Sequence, residues 1–411
     1  MKRIFKINKK SFCVSTAVIM LFLSIVPGAP SWFGLIDDVI PLIFGIIWCV
    51  HFVTQRRIGK ERNLFILLLS VCAIGLVSNL ISGLAKITPI VLDLFSFLKM
   101  FFVYLGLYAL LDGKQYLTVR IVSVISKFCK GFLIISFLFG LLNLVGAVRM
   151  YDNMRFGITN YHFIFGNASQ FGILVGVAFA FVVYSEPKYI HFYEIIAMST
   201  LIFTMKGMAL IIAAVYIAML LVINKKIKIW QLALVGVVLV FVLRYQIYTY
   251  LLDETAPRAI LIRYGAVTAN TYFPLGGGFA TWASDAAGKY YSPLYSRYGL
   301  NTRNAFIYDY VGGTALDDAY LGMAIGQFGW LGTIILGIVF WMIGRKIFKK
   351  ITFFDKAKYI SIALFASLCG MAVMAGSIKG VPGQLMLLAL QIFCIMNSEI
   401  TEGSNQHDES R

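Results

Sequence analysis

Charge is scarce in this chain of 411 residues: Asp, Glu, Lys and Arg together make up 13% of it, and only 19 residues are acidic. From about Phe12 to Met396 there is no hydrophilic stretch long enough for a separate globular domain. With 60% hydrophobic residues and a mean hydropathy of +0.82, too little polar surface exists to cover a soluble fold, and lipid must be the solvent. Histidine is also rare. His51, His162, His191 and His407 form no helical pair and no ligand set, so no metal site is visible. CxxC pairs are absent; Cys13, Cys49, Cys72, Cys129, Cys369 and Cys394 sit singly in or beside apolar runs and read as core fillers. No internal repeat at fixed or inverted spacing is seen.

What the chain does have is apolar runs long enough to cross a hydrocarbon core. The spans fall at about 11–28, 35–53, 63–84, 90–111, 131–148, 167–185, 190–205, 207–223, 229–245, 317–343, 359–378 and 383–397. This predicts an all-α polytopic membrane protein of about twelve helices, a single integral domain over 1–411. The net charge of +17 would suggest nucleic acid in a soluble protein, but the basic residues cluster between the apolar runs. Lys2, Arg3, Lys6, Lys9 and Lys10 precede the first span, Arg56, Arg57, Lys60 and Arg62 follow the second, Lys225, Lys226 and Lys228 follow the eighth, and Arg345, Lys346, Lys349, Lys350, Lys356 and Lys358 follow the tenth. The positive-inside rule places all of these in the cytoplasm, with both termini and a tail over 398–411.

Three local expectations accompany this topology. The basic and apolar start resembles a secretory signal, but Pro30 spoils cleavage and a retained first helix is expected. Between Asp112 and Lys130, Leu117, Ile121, Val124, Ile125 and Phe128 against Arg120, Lys127 and Lys130 predict a helix lying on the inner leaflet. The two spans around Lys206 are short, and a single re-entrant element is the alternative to a pair.

The segment from about Tyr245 to Leu316 is far longer than an ordinary connector, and the topology puts it outside. It carries Arg258, Arg263, Arg297 and Arg303 against the usual bias, so a specific need for positive charge is expected there. Arg263, flanked by Ile262 and Tyr264 in APRAILIRYGAV, is suited to gripping diphosphate oxygens and to stabilising charge on a leaving group. For Arg258 a solvated interfacial helix is an equal reading. In PLGGGF, Gly276, Gly277 and Gly278 permit a turn whose amides can approach a phosphate or sugar, although a tight turn without a ligand explains them as well.

Two further places combine charge with the membrane boundary. In LIFTMKGMALII, Lys206 stands where one apolar segment gives way to the next; it is either a snorkelling lysine or a partner for a lipid phosphate. Asp317 and Asp318 stand immediately before AYLGMAIGQFGWLGTIILGIVF. A helix cap accounts for one of them, while adjacent carboxylates can raise each other's pKa enough to make one a general base, and both readings stay open. Lesser candidates are Arg149 and Arg155 in RMYDNMRFGITNYHF, Asp93 and Lys99 within the fourth span, and Lys379 between the last two.

The order TMKG, then Arg263 with PLGGGF, then DDAYLGMAIGQFGWLG resembles the O-antigen polymerase and O-antigen ligase superfamily, in detail over residues 190–345 and elsewhere in topology. Members show a Ser-Arg-Gly-like step, an Arg followed by Pro-x-Gly-x-Gly, and an acidic or His-Asn pair before a glycine-rich helix. Here Lys206 replaces the arginine, and Asp317-Asp318 replaces the His-Asn of ligases, which favours polymerase. The resemblance implies a bacterial inner-membrane glycosyltransferase with no cofactor or metal, its large loop (245–316) periplasmic, using undecaprenyl-diphosphate-linked oligosaccharide and working with a chain-length regulator.

On that reading Arg263 and Lys206 hold the donor diphosphate, with Arg258, Arg303 and the three glycines beside them. Asp317 or Asp318 takes the acceptor's proton, and tyrosines such as Tyr264, Tyr272, Tyr290 and Tyr291 stack on sugars or line the interface. A lipid-linked oligosaccharide flippase is the competing class, with an O-antigen ligase and a peptidoglycan polymerase of the shape and division type behind it. A flippase needs a charged central cavity and two similar halves, whereas the unusual residues here lie in one outer loop.

Overall fold

The computed structural model describes residues 9–28, 31–54, 60–155, 157–185, 188–223, 244, 248, 252–303, 306, 315–350 and 356–396. The expected ninth span over 229–245 and the tail over 398–411 lie outside the described residues. The described chain is a bundle of helices: α1 (Lys9–Ser24), α2 (Ile36–Thr54), α3 (Lys60–Ser82), α4 (Ile87–Leu111), α5 (Gln115–Leu144), α6 (Ala168–Tyr184), α7 (Ile190–Phe203) and α8 (Gly207–Ile223). After these come three loop helices, α9 (Pro257–Thr271), α10 (Asp285–Lys289) and α11 (Pro293–Arg297), then α12 (Tyr320–Lys350), α13 (Lys356–Met374) and α14 (Val381–Met396). One antiparallel hairpin, β1 (Tyr151–Arg155) and β2 (Ile158–Tyr161), pairs Tyr151 with Tyr161.

Six stretches within these helices are long and apolar enough to cross a membrane: Trp32–Thr54, Glu61–Ser82, Ile87–Leu111, Tyr116–Leu144, Tyr320–Lys349 and Lys356–Met374. Their outward faces stay apolar. Ile46 and Val50 of α2, Ile66 and Leu69 of α3, and Ile334 and Trp341 of α12 are all exposed, as side chains facing lipid must be. Helices α6 and α14 are largely apolar and are buried along almost their whole length. Between them Tyr184 stacks flat on Phe393 at a 3.8 Å centroid separation.

Two expectations change in detail. The amphipathic stretch after Asp112 is not a separate surface helix; it is the first half of α5, which continues without a break to Leu144. Leu117, Ile121, Ile125 and Cys129 are buried within the protein, so the apolar face that suggested a leaflet-bound helix is covered by neighbouring helices, α1, α6 and α7 among them. The short pair around Lys206 is two helices, α7 and α8, separated at Thr204–Lys206, where Met205 takes a left-handed backbone with φ of 49°.

The loop residues pack onto the bundle. Helix α9 lies along α12, and the two approach at Gly265 and Gly322: a Cβ on Gly265 would sit 2.6 Å from the Gly322 carbonyl oxygen. Small residues at such a crossing let two backbones come together. Trp282 closes the contact by donating its indole N–H to the Leu261 carbonyl at 2.8 Å.

Candidate functional site

The site is built from the glycine turn outward. Gly276 and Gly278 adopt φ of 78° and 92°, which side chains disfavour, and the turn they form inserts between α3 and α12. A Cβ on Gly276 would meet the Gly329 nitrogen at 2.4 Å, and one on Gly278 would meet Asn79 at 2.6 Å. Gly329 is itself left-handed (φ 63°, ψ −168°) and interrupts α12 where the turn enters. Every amide of the triplet is used internally: Gly276 donates to the Tyr272 carbonyl, Gly277 to Gly326 and Gly278 to Gln327. These glycines are therefore a structural clamp, and none of their N–H groups points to a ligand.

Polar side chains of α3 complete the clamp. Ser78 donates to the Leu275 carbonyl at 2.7 Å and Ser82 to Gly277 at 2.8 Å, while Asn79 exchanges two hydrogen bonds with the Phe279 backbone. Asp93 of α4 is the hub beneath them. Its Oδ2 accepts from the Ala280 amide at 2.6 Å, the Ser284 hydroxyl at 2.7 Å and the Gln327 amide group at 2.7 Å. Asp93 thus anchors the loop to the bundle. Lys99 is paired with Asp37 and Asp38 of α2.

The clamp sets the position of the acidic pair. A 3-10 turn over Ala315–Asp317 leads into α12, and Asp318 receives Nε of Arg258 at 2.8 Å and Nη2 at 2.7 Å on a single oxygen. The arginine of α9 and the acid before α12 are thereby tied across the loop. Burial pushes the Asp317 carboxyl up to about 6; Lys379 pulls it down, and Asp285 and Asp318 push it further up. Burial raises Asp318 too, opposed by Arg258, but 41% of its side chain is exposed and water screens it more.

The remaining candidates form separate contacts. Arg263 reaches Glu254 at 3.3 Å with 71% of its side chain exposed, away from the Arg258 pair. Arg303 donates to the Tyr264 hydroxyl at 2.6 Å and stacks over its ring, and Tyr264 lies 5.0 Å from Tyr298. Lys206 lies 4.0 Å from Asp152 of the hairpin, which also faces His162 at 3.5 Å. Tyr272 accepts from Arg297, and Arg149 stacks over Tyr151.

The structure thus joins Arg258 with Asp318 next to Asp317, and Tyr264 with Arg303. It places Arg263 and Lys206 on partners of their own. Sequence reasoning set Lys379 among minor candidates and passed over Asp285, Asn79 and Gln327. The signal for the last two was present: a Ser-Asn-Ser face at 78, 79 and 82 ends an apolar span, and a lone Gln interrupts the glycine-rich helix. The chain matches no family model and no curated protein.

Proposed function

We propose that this protein is a surface-polysaccharide polymerase of the O-antigen type, a glycosyltransferase that joins undecaprenyl-diphosphate-linked oligosaccharides at the outer face of a bacterial inner membrane. The observation that carries this reading is the group at the loop end of the bundle. A carboxyl raised to about 6, Asp317, stands beside a buried lysine, Lys379, and next to the Arg258–Asp318 pair. An acid titrating near neutrality suits a general base, and arginines suit a diphosphate leaving group.

In the reaction, Asp317 takes the proton from the acceptor's terminal hydroxyl as its oxygen attacks the anomeric carbon of the donor. The new bond is oxygen to C1; the bond that breaks joins C1 to the diphosphate oxygen, and undecaprenyl diphosphate departs with inversion. Arg258 of α9, the arginine tied to the acidic pair, offsets the charge that develops on the diphosphate. Asp93 holds the loop onto the bundle through the Ala280 amide and the Ser284 hydroxyl.

The topology fits. On this reading α1–α8, the span expected over 229–245 and α12–α14 are twelve crossings, an even number that agrees with the positive-inside expectation of cytoplasmic termini and an outer 245–316 loop. A flippase has less support, because the two charged residues inside α4 are engaged: Asp93 fastens the loop, and Lys99 is neutralised by Asp37 and Asp38. The Asp317-Asp318 pair in place of His-Asn favours polymerase over ligase.

The test is the purified protein in nanodiscs with a lipid-linked repeat unit, its products run on a gel. A ladder lost in Asp317→Asn supports the reading. No ladder, together with movement of the same lipid across vesicle membranes, replaces it with the flippase.

A further inference from the structure

Two other buried charges of the bundle are paired. Lys346 reaches Glu61 at 2.5 Å and Gln391 at 2.9 Å between the rings of Tyr104 and Tyr108. Glu194 accepts from Tyr216 and pairs with Lys356 and His191. Lys379 differs. Only 5% of the residue is exposed, its Nζ is wholly buried, and that nitrogen has no hydrogen-bond partner among the described residues.

Its position explains why this matters. Lys379 ends the 3-10 turn Gly376–Lys379 that joins α13 to α14. That turn is pressed backbone to backbone against the acidic turn, since a Cβ on Gly376 would lie 1.7 Å from the Asp317 carbonyl oxygen. Two residues on, α14 begins at Val381, and the positive end of its dipole adds to the lysine's charge. Asp318, one of the neighbouring carboxylates, is already engaged by Arg258, and Asp317 acts on Lys379 only through space. A desolvated ammonium with three unused donors is costly to keep unless an anion takes them.

We propose that Lys379 is an anion-binding residue of this site, its ammonium donating to a phosphoryl oxygen of the lipid diphosphate beside Asp317. This rests on the reading of the site as a lipid-diphosphate glycosyltransferase. The lysine serves as a point charge for the tetrahedral oxyanion, on the turn packed against the one that carries the proton-accepting carboxylate. As the bond from C1 to the diphosphate oxygen breaks, the electron pair moves onto that oxygen, and Lys379 holds the added charge.

The experiment measures binding rather than turnover. Undecaprenyl diphosphate and inorganic pyrophosphate are titrated separately against the full chain in nanodiscs, for the wild type, Lys379→Met, Lys379→Arg and, as a control on an exposed loop helix, Lys289→Met. Lys379→Met is expected to weaken undecaprenyl diphosphate binding by about tenfold or more, while Lys379→Arg and Lys289→Met stay within about threefold. Thermal stabilisation of the full chain by undecaprenyl diphosphate, expected to be smaller in Lys379→Gln than in the wild type, keeps the test open if Lys379→Met does not fold. Tight pyrophosphate binding that depends equally on Lys379 assigns the anion site to the free diphosphate instead of the lipid and overturns the lipid assignment. Unchanged binding in Lys379→Met, or stabilisation by undecaprenyl diphosphate that is undiminished in Lys379→Gln, makes Lys379 a structural counter-charge and overturns the proposal. A ladder assay on the same samples separates the two ideas. A wild type that polymerises while Lys379→Met binds normally loses only the lysine assignment, and a wild type that binds through Lys379 without polymerising loses only the activity.

Discussion

Asp93 and Gln327, 234 positions apart in the chain, meet at 2.7 Å inside the bundle, and the same carboxylate oxygen holds the Ala280 amide and the Ser284 hydroxyl. A charge in the middle of an apolar helix thereby becomes the fastening for the loop. Removing it in Asp93→Ala strands three buried donors, each worth about 1–3 kcal/mol, so a loss of roughly 3 kcal/mol or more is expected. Asp93→Asn keeps an acceptor and should lose less. Thermal unfolding and protease cleavage between Thr271 and Arg303 report on it; a loop no more readily cut in Asp93→Ala than in the wild type would refute the fastening role.

The glycine turn gives a second prediction. Gly278→Ala combines a φ of 92° with a Cβ 2.6 Å from Asn79, and Gly329→Ala combines a φ of 63° with a Cβ 2.3 Å from the Pro274 carbonyl. Neither neighbour is the far end of a flexible side chain. Both variants should fold poorly, each losing on the order of 2 kcal/mol or more. Gly337→Ala, which meets nothing within 4 Å on the same helix, should behave as the wild type in the same gel-filtration and melting assay. Equal behaviour of the three variants would mean that the turn does not seat between α3 and α12.

Much of this architecture could be read from the residues, and the reasons for the rest are physical. Helices were legible because lipid demands long apolar runs, which α2, α3, α4, α12 and α13 supply. The acidic pair and the arginines of α9 stood out because charge outside an aqueous face needs a reason. What could not be read was pairing. Arg258 and Asp318 are joined, and Arg263 is not part of that pair, because helix phase points residues five apart in different directions. PLGGGF allowed both a ligand cradle and a plain tight turn, and nothing in those residues says that α12 will break at Gly329 to receive the turn. The stretch after Asp112 misled because amphipathicity does not say whether protein or leaflet covers the apolar face.

The raised carboxyl of Asp317 makes a pH prediction whose sign is fixed. A folded-state value near 6, above the ordinary 3.8, means that the native state holds the proton more tightly than the unfolded chain. Stability on this account falls as pH rises from about 4 to 6, and Asp317→Asn should stabilise the protein at pH 7 by about 1–2 kcal/mol. Activity runs the other way: the base must be ionised, so the rate should drop about tenfold per pH unit below 6. A variant less stable than the wild type at pH 7, or a rate that is flat from pH 5 to 7, contradicts the assignment.

The Arg258–Asp318 pair separates structure from chemistry. It is partly exposed, so a double-mutant cycle on stability with Arg258→Ala and Asp318→Ala should give a coupling of only about 0.5–1 kcal/mol. If Arg258 also acts on the leaving diphosphate, Arg258→Ala should lower turnover by about a hundredfold, well beyond the stability effect, and Arg258→Lys should recover only part of it. A loss of activity that tracks the loss of folded protein would leave the pair as a tether.

At the other end of the bundle, Lys346 of α12 and Glu61 of α3 form a buried pair at 2.5 Å, with Gln391 of α14 at 2.9 Å and two tyrosine rings around the ammonium. Three helices converge on it, far in sequence from the loop, so it should govern stability without governing the reaction. Taking away one partner leaves an uncompensated buried charge: Lys346→Met or Glu61→Leu alone should lose about 3–5 kcal/mol, whereas the double replacement, which removes both charges, should recover most of that. Melting of the three variants in detergent checks the stability half, and the ladder assay on the double variant checks the other. Polymerisation at the wild-type rate by a protein lacking both charges would confine the chemistry to the loop end, and a folded double variant without activity would bring the buried pair into the mechanism.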